Sequence, residues 1–217
     1  MNLSALGNFL SSPMIVTCFK HVGCYDFCEQ IQRVQHHSML TRLFISKIHN
    51  NQVTIAGVTF TISNTIISTA IGIPNVGERL FKKSDLENQH FDPFLKPRYK
   101  NEKKRMFPFS YLLDRFSPMM KIIINYFTCE GRFSRLYTYH IRFLMHFTRV
   151  RMLNIPYYLF RSVGKMAFIA QKREYEHQMK IIFHHSLIKI IFLYHLNELK
   201  ISWDTFIPHG ILRDPPT

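Results

Sequence analysis

The hydrophobic pattern of the first third of the chain changes its period, and the change marks two predicted elements. Between residues 36 and 48, apolar residues recur at the spacing of one helical face. These residues are Met39, Leu40, Leu43, Phe44 and Ile48. In the next segment, VTIAGVTF (Val53 to Phe60), mostly β-branched residues flank Ala56-Gly57, with Val53, Ile55, Val58 and Phe60 as the alternate apolar positions. That pattern predicts a short β-hairpin with its turn at Ala56-Gly57.

Helical periodicity returns after the hairpin and dominates the second half of the chain. Ser63 is suited to cap the first of these helices, and Gly72 and Pro74 end it. An irregular stretch from Pro74 to Pro108 follows. Beyond it, Ser117 and Pro118 are suited to the N-cap and the first position of a helix that stops at Gly131. The pattern predicts three further helices, from Ser134 to Leu153, from Pro156 to Gln171 and from Glu174 to Leu199. We therefore predict a mainly α fold, a helical bundle with a small N-terminal β-hairpin.

Composition and the positions of Pro and Gly divide the chain into three predicted parts. Residues 1–35 form an N-terminal extension without a clear period, and residues 36–200 form a helical domain that carries a basic loop at 82–107. Residues 201–217 form a C-terminal tail. Hydrophobic residues make up 47% of the chain, which is enough for a sizeable core.

Charge narrows the classes of partner. The chain has 28 Lys and Arg against 14 Asp and Glu, a formal net charge of +14. An excess of this size favours polyanionic partners, namely nucleic acid, an anionic membrane surface or an acidic protein. Nucleic acid is the partner we predict, with self-assembly or another protein as the alternative.

A row of basic residues on the predicted helix from Ser134 to Leu153 is the first candidate site. At 100° per residue, four side chains fall within a stripe of about 60°: Arg135, Arg142, His146 and Arg149. Arginines seven residues apart on a helix are about 10.5 Å apart, a spacing that suits phosphates along a strand. The alternative is an ordinary solvated face, whose arginine stems cover apolar surface.

The basic loop is the second candidate site. Between residues 96 and 105 it carries six basic residues and one acidic residue: Lys96, Arg98, Lys100, Lys103, Lys104 and Arg105, with Glu102. Such a run is typical of a nuclear import signal or a nucleic-acid patch, and an ordinary hydrophilic loop is the alternative.

Motifs that would indicate catalysis or a cofactor are missing from the sequence. We find no Gly-rich phosphate loop, no HExxH and no G-x-S-x-G, and the carboxylates are scattered. Cys18, His21, Cys24 and Cys28 lie within eleven residues. This spacing is too compressed for one tetrahedral zinc shell, which usually takes two spaced pairs of ligands. We predict no enzyme activity, no cofactor and no metal.

Cysteine usage and hydropathy indicate the compartment. Three of the four cysteines crowd near the N-terminus, which is not the arrangement of a disulfide framework. The first nineteen residues contain no Lys or Arg, and no run of about 18 apolar residues occurs. We expect a soluble, nuclear or cytoplasmic protein without a transmembrane segment.

Two adjoining segments carry a family resemblance: LTRLFISKI (Leu40 to Ile48) and VTIAGVTFTISNTIISTAIGIP (Val53 to Pro74). The order of a helix, a short strand pair, a polar cap and a helix ending in GIP resembles the plant transposon protein domain of retrotransposon-derived reading frames, including those of Athila-like elements. The resemblance extends over roughly Leu40 to Leu199. It implies a mostly helical, element-derived plant protein with no catalytic residues to carry over.

The chain departs from any protein that moves DNA by itself. It lacks a convincing acidic triad, the YxDD of a reverse transcriptase, the D-[ST]-G of a retroviral-type protease and the C-x2-C-x4-H-x4-C knuckle of a nucleocapsid. We predict a non-enzymatic, basic accessory or capsid-region-like protein that binds nucleic acid without sequence preference. The alternative is a domesticated or orphan plant protein that acts as a protein–protein interaction module. Attachment to an anionic membrane surface is a third interpretation.

Overall fold

The computed structural model of the protein describes residues 12–34, 37–79, 88–100, 106–128, 134–148, 152–171 and 185–209. In this part of the chain the helices and strands are α1 (Pro13–His21), α2 (Tyr25–Arg33), α3 (Ser38–Ser46), β1 (Gln52–Ile55), β2 (Val58–Thr61), α4 (Asn64–Ile71), β3 (Met106–Pro108), α5 (Ser117–Ile122), β4 (Arg135–Tyr137), α6 (Thr138–Phe147), α7 (Ile155–Gln171) and α8 (His185–Leu199). Over the described residues the fold is mainly α with two small antiparallel sheets, β1–β2 and β3–β4. The predicted fold class is confirmed.

Shorter helical turns connect these elements. A π-helical segment, Ile123–Thr128, continues α5 directly. The 3₁₀ helices are Asn88–Phe94, Pro97–Tyr99, Phe109–Tyr111, Asp114–Phe116 and Trp203–His209. The chain divides into two compact units, each drawn from two separated segments. The first unit comprises residues 1–26 and 76–155, and the second comprises residues 27–75 and 156–217.

Three phenylalanines anchor the core of the first unit. Phe19 of α1 stacks on Phe147 of α6, with ring centroids 4.5 Å apart. Phe127 of the π-helical segment lies 6.2 Å from Phe19 and 5.2 Å from Phe147. All three side chains are fully buried. Each contributes roughly 1.5–3 kcal/mol through burial, so these contacts fix α1 against α6.

The second unit is organised around α8, which contacts both α3 and α4. Phe192 of α8 lies 4.8 Å from Phe60 of β2 and 5.1 Å from Phe206, measured between ring centroids. All three rings are fully buried. The hairpin therefore belongs to the core of this unit through its inward-facing side.

Local signals account for the hairpin and the helix after it, and both predictions are confirmed. Ala56 and Gly57 have φ values of 49° and 80°, so both turn residues are left-handed, as a tight two-residue hairpin turn requires. The Oγ of Ser63 accepts a hydrogen bond from the N–H of Ile66 at 3.1 Å, which caps α4. Gly72 ends that helix at a φ of 70°.

Other boundaries differ from the sequence prediction. Helix α5 begins at Ser117 itself, and its N-cap is Phe116 without a side-chain hydrogen bond. Met39, expected on the buried face of its helix, is 61% exposed. Helix α7 is confirmed within one residue of its predicted start. The predicted stop at Gly131 and the predicted start of the last helix at Glu174 lie outside the described residues.

Candidate nucleic-acid interface

The predicted arginine stripe does not exist as one helical face. Residues Arg135–Tyr137 form strand β4, and α6 begins only at Thr138 and ends at Phe147. A strand alternates its side chains between two faces, so the 100° spacing cannot relate Arg135 to Arg142. Arg135 is exposed, and Arg149 lies outside the described residues.

Two members of the stripe are buried, which corrects the expectation that they face water. Arg142 is 1% exposed and His146 is 5% exposed. The physical reason is that every residue of α6 from His140 to Phe147 is buried. A helix buried all round has no solvated face on which to display a basic row.

His146 has a structural contact that explains its position. Its Nδ1 accepts a hydrogen bond from the backbone N–H of Leu153 at 2.9 Å. The backbone around Leu153 is also bonded to Glu78, whose N–H donates to the oxygen of Met152 at 3.1 Å and whose oxygen accepts from the N–H of Asn154 at 3.0 Å. His146 thus ties α6 to this short bridge between distant chain segments.

Residues 96–100, the described part of the basic run 96–105, present two exposed cations and one paired cation. Lys96 is half-buried, and its Nζ lies 3.1 Å from Oδ1 of Asp114. Arg98 and Lys100 are exposed, and the Arg98 guanidinium lies 4.5 Å from the ring centroid of Tyr99. The remaining loop candidates, Lys103, Lys104 and Arg105, lie outside the described residues.

A tyrosine pair holds this basic segment in place. The rings of Tyr99 and Tyr111 are parallel within 3°, with centroids 3.4 Å apart. The backbone N–H of Lys96 donates to the oxygen of Tyr111 at 2.8 Å. The segment that carries Arg98 is therefore joined to the turn that directly follows β3.

The small sheet β3–β4 places basic and aromatic side chains on one face. The register pairs Met106 with Tyr137, Phe107 with Leu136, and Pro108 with Arg135. Phe107 and Leu136 are fully buried, so the four other residues share the opposite, outward face. Arg135 and Pro108 are exposed, Tyr137 is 40% exposed and Met106 is half-buried. We call these four residues the β3–β4 face.

A hydrogen-bond relay fixes the end of β4. The backbone N–H of Tyr137 donates to Nδ1 of His140 at 3.1 Å. A neutral imidazole that accepts at Nδ1 carries its proton on Nε2, and this nitrogen lies 3.2 Å from Oγ1 of Thr128. The Thr128 hydroxyl in turn donates to the oxygen of Ile124 at 3.3 Å. His140 is fully buried, so the relay joins the backbone of Tyr137 to the buried core.

The N-terminal cysteine cluster shows buried thiols. Cys24 and Cys28 are buried, Cys18 is half-buried and His21 is exposed. Burial raises the pKa of the Cys28 thiol far above its ordinary value, so this thiol stays protonated and poorly nucleophilic. Within the described ranges, no three His, Cys, Asp or Glu side chains are grouped so that they could hold a metal ion. None of the helices described there is long and apolar enough to cross a membrane.

The sequence pattern did not reveal Tyr137, the aromatic residue of the β3–β4 face. Tyr137 and Arg135 lie two residues apart, and only the strand conformation puts both on one side. Arg115 was also missed; it is exposed, with its guanidinium 4.8 Å from the ring centroid of Phe116. The signal that was available is the alternation of Arg135, Leu136 and Tyr137, a period of two within a region read as helix.

Comparison of the chain with protein-family models, with curated proteins and with solved structures finds no match in any of the three.

Proposed function

We propose that the protein binds nucleic acid through the phosphates and does not read base sequence. The observation that carries the proposal is a set of three exposed guanidinium groups in the first unit, on Arg98, Arg115 and Arg135. The ion pairs Arg33–Glu29 and Lys96–Asp114 involve none of these three guanidinium groups. Arginine presents several N–H donors to phosphate in a planar fork, so exposed guanidinium groups are suited to bind a polyanion.

The charge around these arginines supports the same proposal. Residues 88–148 contain 11 Lys and Arg against 4 Asp and Glu, a balance of +7, which is half of the whole chain's +14. A concentrated field of one sign attracts nucleic acid and speeds its association. Exposed arginines contact the phosphate backbone, whereas sequence is read through contacts with base edges. We therefore expect little sequence preference.

The biological setting that we propose follows the family resemblance of residues 40–199. It is that of a non-enzymatic plant protein of retrotransposon origin, with an accessory or capsid-region-like role. A basic, mainly α chain suits this role physically, because apolar helix faces support assembly and positive charge supports packaging of nucleic acid.

Salt dependence tests the proposal. We expect the logarithm of the association constant for a mixed-sequence DNA duplex to fall linearly with the logarithm of salt concentration between about 50 and 200 mM. The combined variant Arg98→Gln, Arg115→Gln and Arg135→Gln removes three exposed charges. Its slope should be smaller by about 2 to 3, since each lost phosphate contact contributes about 0.9.

A matched variant separates a defined interface from bulk charge. Arg42→Gln, Lys47→Gln and Lys200→Gln also remove three exposed charges, but from the second unit. We expect this variant to keep the wild-type slope. Equal effects of both variants would overturn the assignment to the first unit, and absence of binding to duplex and to single-stranded DNA alike at low salt would overturn the function itself.

A further inference from the structure

We propose that the β3–β4 face binds single-stranded nucleic acid, with one base stacked on Tyr137 and a neighbouring phosphate held by Arg135. This inference rests on the proposed function, and it specifies the strand state that the site takes. Exposed aromatic rings beside positive charge are the recurring means by which proteins hold single strands.

The geometry of the strand pair brings the two groups together. Arg135 and Tyr137 are two residues apart on β4, about 6.8 Å along the strand, and both point outward. That separation is on the scale of one nucleotide of an extended strand. A cation and a ring are thus available to the same nucleotide.

Met106 connects the two groups across the sheet. Nη1 of Arg135 lies 4.0 Å from the Sδ of Met106, which is the residue paired with Tyr137. The guanidinium therefore lies over the strand pair on the side of Tyr137, where the thioether supports it. Residues paired across antiparallel strands have Cβ atoms about 4.5–5.5 Å apart, so Tyr137, which is paired with Met106, is within reach of the Arg135 guanidinium.

Tyr137 is prepared for stacking before any ligand arrives. Its ring is parallel to that of Tyr139 within 8°, with centroids 5.5 Å apart, and 40% of the residue remains exposed. The backbone hydrogen bond to His140 fixes its position at the strand end. A ring already ordered in this way loses little conformational entropy when a base stacks on it.

The need for an unpaired base and the local charge both favour a single strand as the ligand. In a duplex the bases are stacked on each other and present only their edges, so a tyrosine ring can stack only on an unpaired base. Residues 106–113 and 134–148 contain no Asp or Glu, so no carboxylate of these segments opposes a phosphate. The ring and the charge pattern therefore point to the same ligand.

The experiment compares three labelled probes by fluorescence anisotropy: an oligothymidylate of about 12 nucleotides, an abasic oligomer of equal length and a mixed-sequence duplex of about 12 base pairs. The first two carry the same phosphates and differ in their bases. We expect wild-type protein to bind oligothymidylate at least about 5-fold more tightly than the abasic oligomer. Tyr137→Leu should weaken oligothymidylate binding by about 5- to 150-fold and leave abasic binding unchanged.

Two further variants control for folding and for general hydrophobicity. Tyr137→Phe retains the ring and should retain the preference for oligothymidylate. Phe168, on α7, is 60% exposed, and Phe168→Leu removes an exposed ring from the second unit. We expect that variant to behave as wild type with all three probes.

The outcomes distinguish this inference from the proposed function. Equal affinity for oligothymidylate and the abasic oligomer, unaffected by Tyr137→Leu, would overturn the stacking site while salt-dependent binding persisted. Failure of all three probes to bind at low salt would overturn both. Tyr137-dependent binding to vesicles containing phosphatidylserine, with no binding to the oligomers, would replace both with a membrane-surface role.

Discussion

Nε2 of His195 lies 2.6 Å from the backbone oxygen of Thr61, and this contact joins α8 to the end of β2. A carbonyl oxygen can only accept, so Nε2 carries the proton. The imidazole also meets the ring of Phe60 edge-on, with centroids 5.6 Å apart. Burial lowers the pKa of His195, against smaller raising effects of the Thr61 hydrogen bond and the Glu198 charge.

The lowered pKa of His195 predicts a loss of stability in acid. The unfolded histidine takes up a proton near pH 6.5, whereas the folded one does so only at lower pH. The contribution of His195 to the free energy of unfolding is therefore complete above about pH 6.5 and is lost as pH falls towards the pKa of His195 in the folded protein. Urea unfolding between about pH 7.5 and about pH 5 measures this loss. His195→Gln keeps a donor for the Thr61 oxygen and should flatten the dependence; an unchanged dependence would contradict the prediction.

The hairpin turn predicts a stabilising substitution. Ala56 has a φ of 49°, a conformation that costs an L-residue roughly 1–2 kcal/mol and that asparagine tolerates better. Ala56→Asn should raise the free energy of unfolding by about 0.5–1 kcal/mol, because asparagine adopts the left-handed conformation at lower cost. Gly57→Ala should lower it, because Gly57 has a φ of 80°. Chemical denaturation of both variants checks the signs, and a destabilised Ala56→Asn would count against the turn geometry.

Arg142 and Arg135 provide a matched pair of arginines with opposite expected effects. Arg142 is 1% exposed, so Arg142→Ala should cost at least about 2 kcal/mol of unfolding free energy through lost packing and buried contacts. Arg135 is exposed, so Arg135→Ala should cost less than about 0.5 kcal/mol. Calorimetry or urea titration of the two variants measures the contrast. Similar costs would mean that the burial of Arg142 has no energetic weight.

The relay through His140 predicts that its nitrogens matter more than its ring. His140→Phe keeps an aromatic side chain but removes the acceptor for the Tyr137 N–H and the donor to Thr128. The expected cost is about 1–3 kcal/mol, because a polar group is left without its partner. Thr128→Val tests the far end of the relay and should cost less. An unchanged free energy of unfolding in His140→Phe would contradict the prediction and would indicate that water replaces the lost partners.

Local chemistry made one part of the fold predictable. The Ala56-Gly57 turn, the Ser63 cap and the Gly72 stop each act within a few residues, so the sequence indicates the hairpin and α4 directly. Helix α7 likewise follows from its own apolar period and from Pro156 near its start. These elements agree with their local preferences, which is why pattern reasoning succeeds there.

The candidate site depends on a long-range contact that no local pattern contains. Strand β4 exists because residues 135–137 pair with residues 106–108, more than 25 positions earlier in the chain. That pairing places residues 135–137 in a strand, so the helix begins only at Thr138 and Arg135 does not share a helical face with Arg142. The burial of Arg142 is also a tertiary effect, since an arginine in sequence looks solvated until its helix is seen to be covered on all sides.

The interleaved segments of the two units have a consequence during synthesis. The segment 27–75, which holds the hairpin, needs α8 to cover Phe60, yet the 109 residues from 76 to 184 are made before α8 begins. At roughly 5–20 residues per second, the nascent hairpin waits about 5–22 s for the start of α8. All segments of the first unit lie before residue 156, so they are synthesised earlier than α8. The apolar side of the hairpin is therefore still uncovered when all segments of the first unit have been made, and we expect chaperones to bind the hairpin during this interval.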